Sequence, residues 1–126
     1  METTVEWFVA ITSVVMGASH VARASDWVEA FRAVHDQRRT GAFLNGGYHL
    51  FTGAFIVAGH PVWTGPAIAI TVFGWLLVLK GAVNLLLPDQ ALRSIARGGL
   101  PGRFRIAGVV LLAIGGWSSY CLWVRY

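Results

Sequence analysis

Forty consecutive residues, Thr40 to Leu79, carry no charged side chain; Arg39 and Lys80 bracket the run. A bilayer core of about 30 Å takes about 20 apolar residues per crossing, so the run has room for two. It is interrupted once, at Gly59-His60-Pro61-Val62-Trp63-Thr64-Gly65-Pro66, where turn-forming residues suit a reversal of direction. The pattern therefore predicts a membrane hairpin. Extending it along the chain gives four crossings, at Val5–Ala22, Thr40–Ala58, Ala67–Leu87 and Ile106–Val124. Apolar residues run continuously instead of alternating, which favours helices over barrel strands. The expected fold is an all-α integral membrane four-helix bundle, a single transmembrane domain over residues 1–126.

Between the crossings the pattern changes. Trp27, Ala30, Phe31 and Val34 recur at helical spacing behind a capping-box-like Asp26 and Glu29. This predicts a short amphipathic helix on the membrane surface, with Trp27, Phe31 and Val34 on its apolar face. The second linker repeats the idea, with Asp89 as cap, Leu92 and Ile95 apolar, and Arg93 and Arg97 polar. Gly98-Gly99-Leu100-Pro101-Gly102 follows as a break.

Charge then orients the bundle. Arg23, Arg32, Arg38 and Arg39 lie in the first linker, and Arg93, Arg97, Arg103 and Arg105 in the other. The connection between the second and third crossings has no arginine. By the positive-inside rule both basic linkers face the cytoplasm and both termini face outward, as expected in a bacterial-type inner membrane. The net charge of +4 is thus a topology signal, and nucleic acid is not an expected partner. The leading residues Met1-Glu2-Thr3-Thr4-Val5-Glu6 carry two acids and no Lys or Arg, unlike a secretory n-region. Composition agrees with the membrane class, with 56% hydrophobic and 13% charged residues against about 25% charged in soluble domains.

The two halves echo each other. Gly17-Ala18-Ser19-His20-Val21 aligns with Gly81-Ala82-Val83-Asn84-Leu85, and Gly46 and Gly53 align with Gly108 and Gly115. Both hairpins enter from one side, so the pattern predicts a parallel repeat. Each crossing also carries small residues seven apart: Ala10 and Gly17, Gly46 and Gly53, Gly74 and Gly81, Gly108 and Gly115. Seven residues make about two helical turns, so each pair lines one stripe for close helix packing.

Polar groups inside the crossings are expensive and mark where chemistry would sit. His20, Asn45, His49, Lys80 and Asn84 are the candidates for ligand or partner binding, and depth counting places most of them in the basic-linker half. No Asp or Glu lies in a crossing except Glu6 at the outer edge. Lys80 therefore either snorkels to the interface or meets an anion from outside the chain. His20 and His49 each follow a glycine by three residues, which leaves room for a haem or chlorophyll macrocycle. Helix-to-helix hydrogen bonding is the commoner use of such histidines. There is no His-Glu-x-x-His and no Gly-x-Ser-x-Gly, so neither catalysis nor a metal centre is expected. The leading expectation is an accessory or structural subunit packed against other membrane chains, or a homo-oligomer. The alternative is a binding protein for a hydrophobic or anionic small molecule such as a lipid or quinone, followed by a small transporter.

Overall fold

The computed structural model describes residues 1–97 and 100–125. Gly98, Gly99 and Tyr126, and the side chains of Ile95 and Arg97, lie outside the described residues. The described chain is all-helical: α1 (Glu2–Ala22), α2 (Ala24–Asp36), α3 (Arg39–Gly59), α4 (Ile68–Leu86), α5 (Pro88–Arg97) and α6 (Pro101–Arg125). Proline stands at the first position of both α5 and α6, where its missing N–H leaves no bond unmade and its fixed φ suits the helix. Helix α6 thus starts five residues before the apolar run that predicts it. Gly65, at φ +68°, shapes the turn before α4; a side chain would be strained there.

Among the described residues three helices, α1, α4 and α6, are long and apolar enough to cross a membrane. The expected second crossing, α3, is as long as α1 but is not one of them. Asn45, Tyr48 and His49 interrupt its apolar run and lower its mean hydropathy.

The long helices associate as two close pairs, α1 with α6 and α3 with α4. Glycines set both contacts. A Cβ on Gly17 would stand 2.8 Å from the Gly108 carbonyl, and one on Gly108 would stand 2.8 Å from the Gly17 carbonyl. In the other pair a Cβ on Gly46 would meet Asn84 Cβ at 2.7 Å and the Gly81 carbonyl at 3.1 Å. One on Gly81 would strike the backbone of Leu50. The second step repeats the first, with Gly115 over Val14 and Ala10 and Gly53 over Gly74 and Val78. Without side chains between them, backbones approach closely enough for extensive dispersion contact.

Contacts between the two pairs are sparser. Val5, Val9, Ile56, Ala67, Ile70 and Cys121 form a small core across that seam near the chain termini. At the other end, which carries the basic linkers, α2 and α5 close over the helix ends. Helix α2 starts at Ala24 behind Arg23, with no side-chain cap, and Asp26 pairs with Arg23 at 2.7 Å instead of capping. The apolar face of α2 makes its contacts within the protein. Trp27 and Phe31 pack on Phe104, Ala24 and Val28, Trp27 stacks on His20 at 4.1 Å, and Val34 touches the site of Gly41. That face is turned onto the protein. Outward-facing residues of the long helices are instead large and apolar, with Ile11, Val15, Phe51, Leu76, Leu79 and Val109 all exposed.

Candidate functional site

At the basic end the helix ends splay around a cavity of about 600 Å³. Helices α3 and α4 contribute Asn45, Lys80 and Asn84, α1 contributes His20, and α6 contributes Arg103. Helix α5 adds Gln90 and Ser94. Phe31, Val83, Phe104 and Ala107 give the remaining wall an apolar surface. Among the described residues the lining holds two cations and no carboxylate. Such a cavity favours an anionic group, since both cations can act on it and no acid repels it.

Local helix geometry explains the convergence. Lys80 and Asn84 are four residues apart and share one face of α4. Gly81 and Gly46 draw α3 against that face, which brings Asn45 to the same opening. Asn84 is buried, while Lys80 and Arg103 are exposed toward the cavity. His20 is held from two sides: its Nδ1–H donates to the Met16 carbonyl at 2.7 Å, and Trp27 covers one ring face. Trp27 is fixed in turn by donating its Nε1–H to Ser19 Oγ at 3.0 Å.

The structure thus brings together four of the five sequence candidates, His20, Asn45, Lys80 and Asn84, and leaves His49 off the lining. His49 donates its Nδ1–H to the Asn45 carbonyl at 2.7 Å, a bond within its own helix. The two histidines proposed for a macrocycle therefore share no cavity wall. Among the described residues no group of three or more His, Cys, Asp or Glu is placed to hold a metal ion.

A second polar cluster lies at the opposite end, where sequence reasoning placed only an edge acid and a turn histidine. Glu6 and His60 are both fully buried, with His60 Nε2 3.2 Å from Glu6 Oε1. Arg125 Nη2 lies 3.0 Å from the same oxygen, and Arg125 also meets Glu2 at 3.4 Å. Thr71 Oγ1 is 2.9 Å from His60 Nδ1 and within 2.7 and 2.8 Å of the His60 and Val62 carbonyls. Ser118 Oγ donates to the Glu6 carbonyl at 2.7 Å. All four long helices or their ends meet here. The signal that could have found this cluster is Glu6 itself, because a carboxylate inside a crossing requires a partner.

No protein-family model, no curated protein and no solved structure matches this chain.

Proposed function

We propose that this chain is a four-crossing integral membrane protein that binds an anionic amphiphile in the cavity at its basic end. The observation that carries the reading is the lining: Lys80 and Arg103 together with Asn45, Asn84, Gln90 and Ser94, beside an apolar wall and without an acid among the described residues. A charged headgroup would sit between the two cations, and its apolar portion would lie along Phe104, Val83 and Ala107. Charge-assisted hydrogen bonds of this kind are each worth about 1.5–3 kcal/mol.

Helix α3 belongs in the membrane with the other three on this reading. It is paired with α4 along its glycine stripe, and its outer face carries Phe43, Leu44, Phe51 and Phe55. Its polar Asn45 faces the cavity, where irregular polarity is tolerated. The matched glycine contacts of the two pairs support a parallel repeat, since α1 with α6 corresponds to α4 with α3. The arginine bias supports a cytoplasmic basic end and outward termini.

The experiment is native mass measurement of the chain extracted in mild detergent from bacterial membranes, beside a Lys80→Gln/Arg103→Gln double variant. Wild type is expected to carry an acidic amphiphile that the double variant loses. Equal retention by both would overturn the binding reading. A large heteromeric mass without bound amphiphile would instead support the accessory-subunit role.

A further inference from the structure

The cluster at the terminal end constrains its own protons. Thr71 has one hydroxyl proton and lies within hydrogen-bond distance of two backbone carbonyls, so toward His60 its oxygen must accept. His60 Nδ1 therefore carries a hydrogen and donates it to Thr71 Oγ1. The contact between His60 Nε2 and Glu6 Oε1 then contains one proton. Either imidazolium donates it to carboxylate, or carboxylic acid donates it to imidazole. Arg125 Nη2 lies 3.0 Å from the same Oε1.

The other carboxylate oxygen is left over. Glu6 Oε2 is buried without a hydrogen-bond partner, the only such side-chain atom among the described residues. Orphaned buried acceptors are rare in folded proteins and call for an explanation. The surrounding groups can be named from every side. Glu2 lies on α1 with Glu6, His60 ends α3, Thr71 opens α4, and Arg125, Ser118 and Cys121 come from α6. Arg125 itself is 38% exposed.

We propose that Glu6 is a proton-binding site: Oε2 takes up a second proton, and the protonated site releases the latch between the two helix pairs. In the one-proton state a single carboxylate oxygen holds His60, at the end of α3, and Arg125, at the end of α6. Addition of a proton at Oε2 gives a neutral acid, imidazolium and guanidinium. Two cations then face each other within hydrogen-bond distance of one uncharged oxygen. Their repulsion acts across the sparsely packed seam, because His60 belongs to the α3/α4 pair and Arg125 to the α1/α6 pair.

Infrared difference spectroscopy and spin-label distances on the full chain in nanodiscs test this together. Labels go on exposed Trp63→Cys and Trp123→Cys in a Cys121→Ala background. On acidification from about pH 8 to about pH 4, a range that spans carboxylate and imidazole titration, wild type should gain a carboxylic-acid carbonyl band. The label separation should lengthen over the same range. Glu6→Gln, which has no carboxyl to protonate, should lack the band. A band that persists unchanged in Glu6→Gln, or a wild-type separation that ignores acidification, would overturn the proposal. Should Glu6→Gln not fold, Glu6→Asp decides: a band of unaltered frequency would exclude Glu6 as its source.

Discussion

At the terminal end, Glu6, His60, Thr71 and Ser118 are closed off from solvent and bonded to one another. At the basic end, Asn45, Lys80, Gln90 and Arg103 point at a cavity instead. Long helices supply both sets, with the short α5 adding Gln90 at the basic end. Polar groups that find partners within the chain hold helices in place, and their removal should be felt as lost stability. Polar groups that surround an opening are held apart by the fold, and their removal should be felt by whatever enters. Between the two ends, the glycine contacts fix the helices so that each set can exist.

The largest expected effect falls on those contacts. Gly81→Leu places side-chain atoms in the Leu50 backbone and should cost about 3 kcal/mol or more, seen as loss of monodisperse protein in detergent. Gly47, whose Cβ would meet nothing within 4 Å, is the control, with Gly47→Leu changing stability by less than about 0.5 kcal/mol. Next comes His60→Leu, which leaves the Glu6 carboxylate buried without its imidazole. A loss of about 3 kcal/mol is expected, measured as a lowered unfolding midpoint at unchanged ligand content. If that variant were as stable as wild type, the contrast between the two ends would collapse.

Asn84→Leu probes the other end. The substitution keeps the branched outline of the side chain while removing its polar atoms, and stability should move by about 1 kcal/mol, as for an ordinary point substitution. On the proposed function, retention of an acidic amphiphile should drop about fivefold, equivalent to about 1 kcal/mol for one lost hydrogen bond. The smallest effect is expected at Arg39, whose pair with Asp89 at 3.3 Å is solvent-exposed on both sides. Arg39→Ala should change the unfolding midpoint by less than about 0.5 kcal/mol, and added salt should erase even that.

The helices were legible in the sequence because charge-free runs of bilayer length admit few other readings. The small residues seven apart were legible as stripes, yet a stripe does not name its partner. Only the fold shows that Gly17 meets Gly108 and that Gly46 meets Gly81. Lys80 and Asn84 could be read as neighbours from their spacing on one helix, and depth counting brought Asn45 near them. His49 shares a face of α3 with Asn45 but lies one turn further from the opening, off the cavity lining, and bonds back to the Asn45 carbonyl. Amphipathic spacing in α2 identified an apolar face but not which surface it would cover. Phe104, far along the chain, offers that face a protein surface in place of lipid. The Glu6–His60 contact joins residues remote in sequence, one of which sits in a turn where histidine is unremarkable.

The pairing of α1 with α6 and of α3 with α4 also sets an order of assembly. Helices α3 and α4 are consecutive long helices, so their glycine contact can close while the ribosome is still making the rest. Helix α1 is synthesised first yet must wait for the last helix before Gly17 finds Gly108. During that interval Ser13 and Glu6, both buried in the finished molecule, have no α6 to cover them. A nascent chain halted before α6 should therefore expose α1 to chaperones and proteases, while the α3/α4 hairpin is already closed.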